Sequence, residues 1–170
     1  ILRSEAPDAR ALLPDRGAIA VKRVVVPIDG SETSKGVIDY AIYYANREED
    51  AEMLFLHVMT ILEHEPVFYG EADVVLPPSE DAVRAEFLKF IEERVRASGR
   101  GIPRMSVSVR KGRVYEQIVR FAEEQDADMI MIGHRGLSPV QRFFLGSVAA
   151  KVVAQAPCSV YVHRPKEKRD

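Results

Sequence analysis

Five short apolar runs, each separated from the next by a segment with helical periodicity, constrain the fold of this 170-residue chain more than any other feature. Strands that are separated by helices pair in parallel, through right-handed crossover connections. The sequence therefore predicts an α/β fold, a three-layer sandwich with a five-stranded parallel sheet between two layers of helices. The predicted strands span residues 23–28, 53–58, 105–109, 128–132 and 159–162.

The distribution of polar residues within these runs predicts the order of the strands. The first, second and fourth runs are apolar on both faces, as central strands of a parallel sheet are. The third and fifth runs alternate apolar with polar residues, which is typical of edge strands. The order 3-2-1-4-5 meets both conditions. Ligands of such open sheets bind beyond the carboxyl ends of the strands at the point where the order reverses, which is between the first and fourth strands.

Serine and glycine residues mark the ends of the predicted helices. Ser31 and Ser79 stand directly before segments with apolar residues at helical spacing, where a serine side chain caps the first turn. Gly99 and Gly101 follow the second of these segments and are expected to end it. The connection 59–78 is rich in proline and glycine, and we predict a flexible excursion with a functional use.

Length and charge fit one domain. Residues 21–165 are predicted to form it, after an N-terminal extension or linker at 1–20 and before a basic tail at 166–170. The net charge of −2 gives no electrostatic case for binding nucleic acid. The only cysteine, Cys158, excludes an internal disulfide, fits a reducing compartment and is predicted to be a small core residue.

Neither a membrane span nor a secretory signal is visible in the sequence. No apolar run approaches the ~20 residues that a span needs, and the first residues mix charges with proline. We therefore expect a cytoplasmic protein without membrane insertion. The chain starts with Ile1 rather than Met, which leaves open whether it is a fragment, a processed product or the cytoplasmic part of a larger protein such as a transporter.

A glycine-containing loop follows the fourth predicted strand. Gly133 and Gly136 open it, and Gly146-Ser147 begins the last predicted helix. Glycine lets a ligand approach the backbone closely, and the free N–H groups at a helix N-terminus suit an anion. The stretch therefore predicts a phosphate-binding loop, although a plain turn followed by a helix start would show the same glycines. The P-loop and dinucleotide fingerprints are both absent.

The spacing of this loop resembles the ATP-binding signature of the universal stress protein family. Gly133-x-x-Gly136, nine further residues and then Gly146-Ser147 match that signature without a gap. Residues 26–31 (VPIDGS) resemble the end of the family's first strand, and residues 56–58 (LHV) resemble the end of its second. The resemblance runs from about Lys22 to Arg164. It implies a Rossmann-like fold of the adenine nucleotide alpha hydrolase type, with the same strand order 3-2-1-4-5.

The resemblance also assigns roles to particular positions. Pro27, Ile28 and Asp29 would meet adenine and ribose, with the carboxylate of Asp29 as a hydrogen-bond acceptor. The β- and γ-phosphates would be cradled by Gly136, Gly146, Ser147 and Val148. Asp29 alternatively serves only as a turn former or helix cap. The implied nucleotide-binding residues are Pro27, Ile28, Asp29, Val58, Ile132, Gly133, Gly136, Gly146, Ser147 and Val148. A rim of His134, Arg135 and Arg142 would add contacts to the phosphates.

The expected function is that of an ATP-binding, nucleotide-responsive regulatory module of the stress response. The resemblance implies a divalent ion, Mg or Mn, held mainly by the phosphates, and a homodimer through the last strand, Ser159 to His163. A slow ATPase that uses the same pocket and a binder of AMP or a cyclic nucleotide stay open as alternatives. We assign no catalytic residue and no protein metal ligand. His57 is predicted to be structural, and His64 to lie in a solvated loop.

Overall fold

The alternation of strands and helices is present in the structure. The computed structural model describes residues 21–48, 50–60, 67–69, 73–75, 77–135 and 145–165. The elements in chain order are β1 (Arg23–Pro27), α1 (Glu32–Ala45), β2 (Glu52–Met59), β3 (Val67–Tyr69), β4 (Asp73–Val75), α2 (Glu80–Ser98), β5 (Met105–Lys111), α3 (Val114–Glu124), β6 (Met129–Gly133), α4 (Ser147–Gln155) and β7 (Ser159–His163).

A five-stranded sheet with the order β5-β2-β1-β6-β7 forms the middle layer. All four neighbouring pairs are parallel, and Val25 of the central strand is in register with Leu54 on one side and Ile130 on the other. Counted along the chain, this is the predicted order 3-2-1-4-5, which is confirmed. The order reverses between β1 and β6, so a cleft opens beyond the carboxyl ends of these two strands.

Two apolar cores cover the two faces of the sheet. Val24 and Val26 point to the core beneath α1 and α2, whereas Val25 points to the core beneath α3 and α4. All three side chains are fully buried. A strand without a solvent-facing side needs apolar residues in succession, which explains why β1 lacks alternation. Cys158 is half-buried against the second core, and burial raises the pKa of its thiol.

The predicted helix ends are confirmed at three positions. The hydroxyl oxygen of Ser31 accepts a hydrogen bond from the Ser34 amide at 3.2 Å. That of Ser79 accepts one from the Ala82 amide, also at 3.2 Å. Gly99 follows α2 with a φ of +66°, a left-handed conformation that favours glycine. The Ser31 cap starts α1 at Glu32, shortly after β1 ends at Pro27 and at the edge of the cleft.

The connection 59–78 differs from the prediction, because it contains two strands. β3 and β4 pair antiparallel, with Val67 opposite Val75. The missed signal is the pair of runs VFY and DVV, separated in the sequence by three residues of which the first is glycine, which is a hairpin pattern. The interpretation of His64, and those of the extension 1–20 and the tail 166–170, fall outside the described residues.

The remaining strand boundaries shift by one or two residues. β2 continues to Met59, and β5 continues to Lys111. Gly133, predicted to follow the fourth strand, is the last residue of β6 and is in register with His163. No helix within the described ranges is both long and apolar enough to cross a membrane.

Candidate functional site

A cavity of about 470 Å³ lies at the carboxyl ends of β1, β2 and β6. It occupies the point of reversal in the strand order, where the sequence predicted a site. Nine of the ten predicted nucleotide-binding residues line it, as does Arg135. The tenth, Gly136, and the rim residue Arg142 fall outside the described residues. The wall also includes residues that the sequence did not assign to a binding site, namely Ser34, Leu56, His57, Thr60, Val114, Ile118, Leu145 and Ala149.

The turn between β1 and α1 holds the carboxylate of Asp29. Its Oδ1 accepts hydrogen bonds from the Ser31 amide at 3.0 Å and from the Ser34 hydroxyl at 2.6 Å. The Ser34 hydroxyl oxygen in turn accepts one from the Asp29 amide at 3.0 Å. Gly30 completes the turn with a φ of +78°. Asp29 therefore has the structural role of a turn former, and its place in the cavity wall also leaves it a role in ligand binding.

The two ends of the predicted phosphate loop are held together by backbone contacts. The Gly146 amide donates to the carbonyl oxygen of His134 at 2.8 Å, and the His134 amide donates to that of His163 at 2.9 Å. A Cβ atom at Gly146 would lie 3.2 Å from the His134 oxygen and 3.3 Å from the Arg135 Cα. At Gly133 a Cβ atom would lie 2.6 Å from a methyl carbon of Thr33. A side chain at position 133 would therefore force Thr33 to move, and one at position 146 would force a shift of the backbone at His134 and Arg135.

The N-terminus of α4 faces the cavity. Gly146 is its N-cap, so no side chain caps the helix, and Ser147 and Val148 of the first turn line the cavity. The first amide groups of a helix have no partner within the helix and lie at the positive end of its dipole. Arg135 adds a positive charge to the same wall. This end of the cavity suits an anion.

Another part of the wall is apolar and buried. It is formed by side chains from the ends of β2 and β6 and from α3 and α4, and Val58, Ile118, Ile132 and Ala149 are each at most 6% exposed. A flat aromatic group can be buried against such a surface. Ile118 belongs to the apolar stripe of α3 that faces the core, and the sequence gives no sign that the same stripe reaches the site.

A second depression, of about 400 Å³, adjoins the cavity. The two share wall residues at the start of α3 and α4, and the second adds Arg113 and Lys151. The ammonium of Lys151 lies 4.6 Å from the centre of the Tyr115 ring. Arg113 pairs with Glu116 at 3.1 Å, and this contact lowers the pKa of Glu116. Sequence reasoning missed these cations, although Lys151 lies one helical turn after Ser147.

The described wall of the cavity contains a single carboxylate, that of Asp29. Its Oδ1 accepts the two hydrogen bonds of the turn. General-base hydrolysis of a terminal phosphate needs an acceptor within reach of the attacking water, and no described wall residue other than Asp29 offers a carboxylate for that role.

The histidines near the site differ in their contacts. His57 Nδ1 lies 3.0 Å from the carbonyl oxygen of Ile28, as a structural role requires. The side chain of His134 is not part of the described cavity wall, and its Nδ1 is buried without a partner. Burial and the neighbouring Arg135 lower the pKa of His134. In the described structure His134 thus contributes to the site through its backbone.

Acid should destabilise the protein through His163. Burial lowers the pKa of this histidine, and its Nδ1 is closed off from solvent without a partner. Since the pKa in the folded state lies below the unfolded value of 6.5, the folded state is favoured above pH 6.5, and this stability is lost as pH falls towards the folded pKa. We expect the urea midpoint to fall between pH 7.5 and pH 5.

The matched variant is His163→Phe, which keeps a ring in place but cannot take up a proton. It should show a smaller drop over the same pH interval, with His134 contributing the remainder. Carboxylates with lowered pKa, such as Asp128 and Glu116, lose their contribution as pH falls through their unfolded pKa values of 3.8 and 4.5, which lie below this interval. Equal pH dependence in the variant and the wild type would contradict this assignment.

A comparison with known proteins identifies relatives of the chain. Residues 20–164 match the model of the universal stress protein family. A Thermus aquaticus protein named as the universal stress protein in the QAH/OAS sulfhydrylase 3′ region is 35% identical over 146 residues, which cover 84% of this chain and 98% of that protein.

Solved structures show the same fold. A universal stress protein in complex with cAMP superposes with a TM-score of 0.62 at 23% identity, and the match covers 86% of this chain and 99% of the other. The universal stress protein from Archaeoglobus fulgidus in complex with dAMP gives a TM-score of 0.55, also at 23% identity, over 85% of this chain and 99% of the other.

Proposed function

The chain belongs to the universal stress protein family, and we propose that its cavity binds an adenine nucleotide, ATP in the first place, as a regulatory rather than a catalytic event. One observation carries the proposal. A single cavity joins an apolar wall, the Asp29 turn and the uncapped N-terminus of α4, which are the three environments that a base, a sugar and a phosphate group require.

The geometry suggests how the nucleotide lies. The base packs on the apolar wall formed by Val58 and Ile132, and the ribose meets Asp29. The phosphates reach the first turn of α4 at Ser147, with Arg135 beside them. In the described part of the chain, no group of three His, Cys, Asp or Glu side chains could hold a metal ion. An Mg or Mn ion that accompanies the nucleotide would be held mainly by the phosphates, as the resemblance implies.

AMP and cyclic AMP are the alternative ligands. Relatives of known structure have been seen with cAMP and with dAMP, so the fold accommodates a monophosphate. The adjoining depression with Arg113 and Lys151 favours the triphosphate here, because it extends the positive surface beyond the α4 N-terminus.

A thermal-shift series tests the proposal. ATP at ~100 times its Kd should add about 2.7 kcal/mol of stability, which raises the Tm of a domain of this size by roughly 5–10 °C. GTP should give little or no rise, and AMP and cyclic AMP a smaller one than ATP. Turnover of labelled ATP should stay at the background rate. If no adenine nucleotide raised the Tm, the proposal would be wrong, and steady release of phosphate would favour the ATPase.

A backbone hydrogen bond suggests how nucleotide binding is transmitted from the site to the edge of the sheet. The amide of His134, at the start of the phosphate loop, is bonded to the last residue of the edge strand β7. We infer that a ligand bound at this loop affects the edge strand through this hydrogen bond. The homodimer predicted through Ser159–His163 would be sensitive to the nucleotide for that reason, and it stays a prediction from the resemblance. The domain limits 21–165 also stay a prediction.

A further inference from the structure

His57 is held in one orientation at the carboxyl end of β2. Its ring stacks on Phe87 of α2, with ring centres 4.0 Å apart and planes inclined by 21°. Its Nδ1 lies 3.0 Å from the carbonyl oxygen of Ile28, at the end of the neighbouring strand. His57 is also one of the residues that line the cavity. The stack and the contact with Ile28 together hold the imidazole in one orientation next to the site.

The contact with Ile28 decides which ring nitrogen carries the hydrogen. A carbonyl oxygen only accepts, so Nδ1 donates, and Nε2 of the neutral ring is then an acceptor. No described residue donates a hydrogen bond to Nε2. Within the described part of the chain, an oriented acceptor without a donor thus belongs to a residue of the cavity wall.

A second residue with acceptor groups lines the same cavity. Ile28, to which His57 is bonded, directly precedes Asp29, which is also a lining residue. The turn is rigid, because Ser34 bonds both the amide and the carboxylate of Asp29. Ribose carries two neighbouring hydroxyl groups, each of which is a donor. Two acceptors on the tips of adjacent strands match such a diol.

We propose that Nε2 of His57 accepts a hydrogen bond from a sugar hydroxyl of the bound nucleotide, and that His57 and Asp29 together make the site selective for ribose over deoxyribose. This inference rests on the proposed nucleotide-binding function. It gives His57 a role in specificity in addition to the structural role that its contact with Ile28 supports.

The test compares ATP, 2′-deoxy-ATP and 3′-deoxy-ATP by calorimetry. The wild type should bind ATP about tenfold more tightly than the analogue that lacks the bonded hydroxyl, the effect of one hydrogen bond of ~1.4 kcal/mol. His57→Asn keeps an N–H group near the position of Nδ1 but has no acceptor near that of Nε2. It should keep its Tm and lose the preference. His57→Phe keeps the stack on Phe87 and should lose the preference as well.

The outcomes separate this inference from the proposed function. If either folded variant prefers ATP over both analogues as strongly as the wild type does, His57 does not contact the sugar and the inference is overturned. Equal binding of all three nucleotides by the wild type overturns it too. His57→Gln, whose amide oxygen reaches the position of Nε2, should retain part of the preference. A wild type that binds no ATP would overturn the proposed function itself, and this inference with it.

Discussion

Gly146→Val should strongly weaken nucleotide binding while the protein still folds. A Cβ atom at this position would meet the His134 oxygen at 3.2 Å and the Arg135 Cα at 3.3 Å. Both are backbone atoms, so the added side chain must push apart the two ends of the loop and weaken the 2.8 Å bond between them. The first turn of α4 then no longer points at the phosphates. Loss of two charge-assisted hydrogen bonds corresponds to an affinity roughly a hundredfold or more lower.

Gly101→Val is the matched control for this variant. A Cβ atom at Gly101 has no neighbour within 4 Å, and the residue lies outside the cavity. The control should bind ATP as the wild type does, in a calorimetric titration under the same conditions. If Gly146→Val retained wild-type affinity, the α4 N-terminus would not hold the phosphates, and the site would have to lie elsewhere.

Asp29→Asn should weaken binding by about ten- to a hundredfold, the range expected for one hydrogen bond to a charged group. The amide oxygen of asparagine can still accept the two bonds that Oδ1 receives from Ser31 and Ser34. The turn and the start of α1 should therefore survive, and the Tm should fall little. What the variant lacks is the negative charge that faces the sugar hydroxyls. Calorimetry and thermal unfolding of the same sample measure the two effects separately.

Ser34→Ala serves as the comparison for Asp29. It removes the 2.6 Å bond to the carboxylate and the acceptor of the Asp29 amide, but leaves the charge in place. We expect a loss of affinity of only a few fold, together with a lower Tm, since Ser34 is 5% exposed and lies under the turn. If Asp29→Asn bound ATP as tightly as the wild type, Asp29 would be a turn former only, the alternative that the sequence left open.

The sequence predicted the sheet well because the relevant signals are local. Val24, Val25 and Val26 show a strand without a polar face, which can only be central. The alternation at Ser106 and Ser108 shows an edge. Topological rules then leave few arrangements of five parallel strands, and the site follows from the strand order.

Other parts of the site depend on contacts between residues far apart in the chain. The close approach of Thr33 to Gly133 and the bond from Ser34 to Asp29 arise only when α1 packs over the ends of the strands. The same holds for His57, whose partner Ile28 is 29 residues away. Periodicity assigns a residue to a face of its helix or strand, but not to a partner. The hairpin of β3 and β4 does have a local pattern, but the surrounding prolines favour the prediction of a loop instead.

The central claim is that an adenine nucleotide binds at the carboxyl ends of β1 and β6, and amide resonances test it most directly. Titration of ATP into ¹⁵N-labelled protein should shift the amide signals of Asp29, Gly133, Ser147 and Val148, all of which line the cavity. The amide of Asp128, at the opposite end of β6, should stay in place. The claim is contradicted if saturating ATP leaves these four signals unmoved, or if the shifts cluster at the amino ends of the strands.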